Sequence, residues 1–382
     1  MTRLRRLRAA VAEAVTLPDD IDGYRVTWKR LANLYLNRYE KWRLRPVVRS
    51  RPTRLVIEPT NVCNLRCPYC HTGAGRFARR PAMMRLEPYL HVLDEIGDYL
   101  LLVEVFNWGE PLLHPDLPPI IAAASARGIA TRVNTNLSVP FTSRDAERLV
   151  ESGLTDLFVS IDGSTQEVYE RYRVGGDLGR VIENCGRMTE AKRRIGSALP
   201  RLTLQFLQFP TNVGDEDAVH ALADRLGMRW LGFRGAVPDA EWGNRTSGPP
   251  WFLTHRPRPC HFLWEQPVLT VDAHVAPCRG VFRASDDFTD LGAHDERRPF
   301  GTAWNADRYR LARGLFRRRT GTAVERALPC YDCPTTIFHE RWRAHRSTGG
   351  TPETFDAGMP LHSNDAWNYF WARGQRPGAS SV

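Results

Sequence analysis

Three of the chain's eight cysteines crowd into one short run, NVCNLRCPYCHTG, as Cys63, Cys67 and Cys70. Their C-x3-C-x2-C spacing puts three thiolates on a single loop. That is enough to hold three irons of a cubane and leave the fourth iron open. A structural zinc ion wants a closed tetrahedron of four protein donors, so the adjacent His71 makes a Cys3His zinc site the alternative. Simultaneous ligation by neighbouring Cys70 and His71 is awkward. A second group, Cys260, Cys278, Cys330 and Cys333, supplies four more thiols. It suits either another iron–sulfur cluster or a zinc ribbon, whose CxxC half is present and whose other half lacks the short knuckle spacing. Cys185 is left over, in RVIENCGRM on a helical pattern, where a free cysteine commonly packs as a small hydrophobe.

Regular elements must carry these loops. RLVIEPT (54–60) is a β-branched strand running straight into the first cysteine loop. Further apolar strands fall at 101–106, 129–134, 156–161, 202–208 and 229–233, and helical periodicity lies between them at 86–97, 117–127, 143–152, 165–194 and 215–226. The fourth of these helices is interrupted by Gly175-Gly176. Alternation of this kind predicts a parallel α/β architecture with right-handed crossovers. Residues 267–278, PVLTVDAHVAPC, read as a β-hairpin turning near Asp272-Ala273, with Cys260 and Cys278 near its open end. A helical pattern covers 302–316.

With Tyr69 before the last cysteine, and Asn64, Leu65 and Pro68 in place, the loop resembles that of the radical SAM superfamily. Trp108-Gly109-Glu110-Pro111 resembles the family's GGE-type motif, Asn134-Thr135-Asn136 closes the next strand, and Ser160-Ile161-Asp162-Gly163 closes another. All fall at strand C-terminal ends, the active face of a β/α barrel. The resemblance implies a partial (β/α)6 TIM-like barrel that binds S-adenosylmethionine (SAM) and a [4Fe–4S] cluster. Cys63, Cys67 and Cys70 would hold the cluster. Tyr69, Gly109, Glu110, Asn134, Asn136, Ser160 and Asp162 would line the cofactor, with Glu110 accepting from the SAM amino group. The chemistry implied is reductive cleavage of SAM to a 5′-deoxyadenosyl radical that takes a hydrogen atom from substrate, with a flavodoxin or ferredoxin as electron donor. The hairpin, the 302–316 helix and LPCYDC resemble a twitch domain, the short relative of SPASM. It would hold one auxiliary [4Fe–4S] cluster through Cys260, Cys278, Cys330 and Cys333.

The resemblance also suggests a sharper role for Cys185, as a hydrogen-atom donor of the kind used by radical SAM epimerases. The expected substrate is a small carbohydrate-, cyclitol- or nucleoside-like metabolite, undergoing oxidation or epimerisation in specialised, antibiotic-type biosynthesis. The alternative is maturation of a ribosomal peptide by crosslinking or epimerisation. An iron–sulfur or zinc scaffold without catalysis is the option from another class. Position after the cluster loop nominates His71 as a substrate contact, and position after the last barrel strand nominates Arg234, Glu241 and Trp242. Arg279 is expected to be a solvated turn residue and His339 a helix-surface residue.

The expected domains are an N-terminal helical extension (1–50), a radical SAM core (51–237), an auxiliary-cluster domain (238–345) and a tail (346–382) whose aromatics dock on the body. Within 1–50, WKRLANLYLNRYEKWRL is amphipathic, with Leu31, Leu34, Tyr35 and Tyr39 in helical spacing, and is expected to pack on the barrel; a membrane-surface anchor is the alternative.

Composition sets outer bounds. With 42% apolar and 25% charged residues over 382 positions, the chain is an ordinary globular one. No run approaches a membrane span, and no secretory signal is legible, so a cytoplasmic location is expected. Among 53 basic residues lysine occurs only at Lys29, Lys41 and Lys192. The net charge of +10 is spread along the chain as arginine, interleaved with acids, which argues against nucleic-acid binding.

Overall fold

The structure is a computed structural model; it describes residues 21–76, 78–234, 259–292 and 298–350, without the side chains of Phe233 and Arg234. Helix α1 (Trp28–Trp42) leads into strand β1 (Arg54–Ile57). Strand and helix then alternate through α2 (Leu86–Ile96), β2 (Leu102–Val105), α3 (Leu117–Ser125), β3 (Ala130–Thr135), α4 (Ser143–Glu151) and β4 (Asp156–Ser160). The 165–194 pattern folds as two helices, α5 (Gln166–Tyr172) and α6 (Leu178–Ile195), broken at the two glycines as expected; Gly175 takes the left-handed conformation. Strand β5 (Arg201–Gln208), α7 (Glu216–Arg225) and β6 (Arg229–Arg234) complete six parallel strands in the order 6-5-4-3-2-1. The fold is mixed α/β with a parallel sheet, a partial TIM-like barrel.

Local sequence accounts for much of this. The β1 residues Leu55, Val56 and Ile57 are fully buried, as expected of a parallel strand covered on both faces. A capping box between Thr142 and Asp145 starts α4, and Asp177 caps α6, which Gly196 ends in the left-handed conformation. In-register neighbours Glu104, Arg132, Asp156 and Arg201 form a row of alternating charge across β2 to β5, with Arg201 Nε donating to Asp156 Oδ1 at 2.7 Å.

The hairpin is present, as β7 (Val268–Leu269) and β8 (His274–Ala276), with β9 (Thr289–Asp290) antiparallel beside it. Its placement is what sequence did not announce. Strand β7 pairs in parallel with β1, so the hairpin continues the barrel sheet into nine strands. Helices α8 (Phe300–Trp304), α9 (Asp307–Leu315), α10 (Ala323–Arg326) and α11 (Pro334–Ser347) pack beyond it. Two expectations fail here. His339 on α11 is buried against the Phe316 ring, and burial pulls its pKa down to about 4. Arg279 is not a solvated turn residue: it pairs with Glu104 at 2.6 Å, donates to the Phe106 carbonyl at 3.1 Å and lies over the Phe106 ring.

Candidate functional site

The first cysteine loop leaves β1 and is pinned by its neighbours. Glu110 N donates to the Val62 carbonyl at 2.8 Å, and Arg66 N to the Val174 carbonyl at 2.9 Å. Glycine is required where two segments meet: a Cβ on Gly109 would lie 2.2 Å from the Thr60 carbonyl oxygen. The same holds for Gly73, whose Cβ would lie 2.5 Å from the Cys67 amide.

The three thiols share one neighbourhood. Burial pushes the Cys63 thiol up to about 12, and charge on Glu110, Cys70 and Cys67 adds to the rise. Burial raises Cys67 to about 11, opposed by Arg173. Donors already face the sulfurs. Leu65 N lies 3.4 Å and Asn136 Nδ2 3.8 Å from Cys63 Sγ, while the amides of Thr72 and Gly73 serve Cys70. Such N–H···S contacts favour thiolate and suit an iron–sulfur core. Three mutually neighbouring thiols on one loop fit a core in which each binds a different iron.

Around this loop the strand-end residues assemble on one face. Glu110 is buried and receives Leu112 N at 3.0 Å, Thr135 Oγ1 at 2.6 Å and Asn136 N at 2.8 Å. Burial raises its pKa, opposed by these donors. Asn136 also donates to Asn64 Oδ1 at 3.0 Å. Ser160 Oγ donates to Asn134 Oδ1 at 3.0 Å, and Asn134 Nδ2 to Gln205 Oε1 at 2.8 Å, a polar chain across β4, β3 and β5. Tyr69 packs in a small apolar cluster with Leu65, Tyr172 and Phe209.

Sequence reasoning missed Arg173. Its Nε donates to Asp162 Oδ2 at 2.5 Å, its charge reaches Cys67, and it lies over the Tyr172 ring. Asp162 also accepts from Leu207 N at 2.7 Å. The signal was an arginine directly before the Val174-Gly175-Gly176 break, at the C-terminal end of α5. Glu58 was missed as well. It sits fully buried after β1, accepting from Val271 N and Asn107 Nδ2, each at 3.2 Å, and burial raises its pKa to about 7.

Other nominated residues fare differently. His71 is buried, its ring stacked on Phe282 at 3.8 Å and meeting Trp108 edge-on at 5.0 Å. Burial pulls its pKa to about 4. Cys185 lies in the main apolar core, on the buried face of α6 with Val181 and Met188. Burial alone pushes its thiol up to about 12. Its surroundings are those of a cysteine packed as a small hydrophobe. Arg234 ends β6 in register with Gln208. Glu241 and Trp242 lie outside the described residues.

The second thiol group also gathers. Cys330 feels charge on Cys278, Cys333 and Cys260, and Cys278 on Cys260 and Cys333, each after the larger effect of burial. Backbone amides of Phe262 and Leu263 face Cys260, and those of Gly280 and Val281 face Cys278. Trp108 Nε1 donates to the Val281 carbonyl at 3.1 Å, tying this group to the Gly109 loop.

Comparison with known proteins agrees with the geometry. The family description "Radical SAM superfamily" matches residues 57–201. The chain is 30% identical over 179 residues to a mycofactocin maturase of Mycobacterium ulcerans, covering 46% of this chain and 45% of that protein. It is 25% identical over 317 residues to a PqqA peptide cyclase of Streptomyces rochei, covering 74% of this chain and 82% of that one. Several of the curated relatives are thus matched over about half their length. In fold it is similar to Streptococcus suis SuiB bound to the precursor peptide SuiA, with a TM-score of 0.56 at 14% identity, covering 94% of this chain and 87% of that one. Three thiols, a buried strand-end carboxylate and a parallel barrel meet at one face, and residues 57–201, which carry them, form a radical SAM domain.

Proposed function

We propose that this enzyme matures a peptide by hydrogen-atom abstraction. The observation that carries the reading is the convergence of Cys63, Cys67 and Cys70 with Glu110 and Asn136 at the strand C-terminal ends. When bound, a [4Fe–4S] cluster and SAM supply reductive cleavage of the sulfonium and a 5′-deoxyadenosyl radical. The three thiols would hold that cluster, and Asn136 and the loop amides already face the sulfurs as donors. Glu110, held by three donors, would have lone pairs left to accept from the SAM amino group. Ser160, Asn134 and Asp162 shape the rest of the cofactor bed. Burial of this face limits water, which protects a reactive radical.

For the substrate class, the matched relatives are named as a peptide cyclase and a maturase. They favour the peptide over the small carbohydrate-, cyclitol- or nucleoside-like metabolite. Cys260, Cys278, Cys330 and Cys333 are assigned to an auxiliary [4Fe–4S] cluster on the strength of their mutual proximity and backbone donors. An external low-potential donor of flavodoxin or ferredoxin type supplies the electron. The test is anaerobic incubation with SAM, reductant and short peptides encoded beside the gene. One of them should change mass and stimulate 5′-deoxyadenosine release. Stimulation by a sugar or nucleoside and by no peptide would restore the small-metabolite reading.

A further inference from the structure

Helix α1 docks on the body with its polar side inward. Arg30 donates to the carbonyls of Arg25 and Gly128, and Asn33 exchanges hydrogen bonds with the Arg51 backbone. Asn37 reaches Ser50 Oγ and the Trp264 carbonyl, and Glu40 accepts from Arg49 N and Ser50 N. All four are buried. The opposite side carries Trp28, Ala32, Leu36, Tyr39 and Trp42 at the i, i+4, i+8, i+11, i+14 positions of one helical face. Trp28 is 81% exposed, Trp42 69% and Tyr39 50%. The helix packs on the body as expected, but the stripe of Leu31, Leu34, Tyr35 and Tyr39 divides: Leu34 is buried beside Leu101, Leu102 and Ala130, while Tyr39 faces outward.

A contiguous aromatic face on an exposed helix marks an interaction site. Its fringe is basic: Arg25, Lys29, Arg43, Arg45 and Arg49 are exposed. Of the acids nearby, Glu40 serves backbone amides, Asp22 pairs with Arg201 and Asp98 takes up the charge of Lys29, which leaves the four arginines as the basic fringe. We infer that this face docks the protein onto an anionic lipid surface. Trp and Tyr favour the headgroup level, and arginine beside them meets anionic headgroups. The helix is 15 residues long and held to the body along one side, so it lies on the bilayer and does not cross it. A second copy of the chain is the poorer occupant, because a two-fold pairing of this face would set the same arginines against each other. The inference is independent of the peptide reading.

The experiment uses the full chain with its clusters loaded, sedimented with vesicles of phosphatidylcholine alone or mixed with phosphatidylglycerol. Binding is expected on the anionic vesicles, weak on the neutral ones, and reduced at about 0.5 M salt. W28S/W42S should lower the partition at least about tenfold, and R43E/R45E should weaken binding on anionic vesicles alone. Visible absorbance of the clusters should be unchanged in both. No sedimentation of the parent chain with anionic vesicles overturns the inference, as does equal binding by W28S/W42S. Concentration-dependent dimerisation lost in W28S/W42S, without vesicle binding, assigns the face to a second copy and also overturns it.

Discussion

Arg173 donates its Nε to Asp162 Oδ2 at 2.5 Å while its charge bears on Cys67, so one guanidinium links the end of β4 to the cluster loop. Asp162 is fully buried and the Arg173 side chain is 13% exposed. Removing one half of such a pair leaves an uncompensated charge, which costs about 3–5 kcal/mol. Arg173→Ala should therefore lower chemical-denaturation stability by that order and impair cluster retention, while Arg173→Lys keeps the charge and loses less. Stability within about 0.5 kcal/mol of the parent for Arg173→Ala would show the pair to be dispensable.

The second thiol group makes a prediction by iron count. Reconstituted protein should hold about eight irons, and Cys333→Ala about four, with SAM cleavage retained because the first loop is untouched. Cys67→Ala should abolish cleavage. A parent chain with about four irons and full SAM cleavage would dismiss the auxiliary cluster.

Glu58 predicts a pH dependence. Burial raises its pKa from the usual 4.5 to about 7. The folded state thus binds more protons than the unfolded state across that window. Its contribution is present below pH 4.5 and is lost as pH rises through 7, amounting to on the order of 3 kcal/mol. Glu58→Gln should match the parent near pH 4.5 and become relatively more stable as pH rises to 8, measured by urea unfolding. A difference that stays flat with pH would place the Glu58 proton elsewhere.

Ala273 turns the β7–β8 hairpin at φ 63°, a left-handed conformation that strains an L side chain. Ala273→Gly removes the Cβ penalty and should raise stability by about 0.5–1 kcal/mol, visible as a higher Tm. A lower Tm would mean that the entropy of glycine outweighs the strain.

Much of the barrel was legible because its signals are local. The six parallel strands start and end within about two residues of their apolar runs, since β-branched stretches between turn residues fix a buried strand. The strand-end motifs were legible for the same reason. Arg173 was not, because its partners Asp162 and Cys67 come from segments that only folding brings beside it. Burial of His71 under Phe282 was equally hidden, for the two lie over two hundred positions apart.

By itself the sequence determined the chemistry's ingredients: three thiols on one loop, four more further on, and acids at strand ends. It also determined that residues 28–42 are helical. Tertiary structure alone decided which face of that helix is covered. Periodicity records where apolar residues recur, but burial goes to whichever face finds partners, and here Arg30, Asn33, Asn37 and Glu40 find backbone groups to pair with. It also decided that β7 pairs with β1, joining residues more than two hundred positions apart through hydrogen bonds that no local pattern encodes.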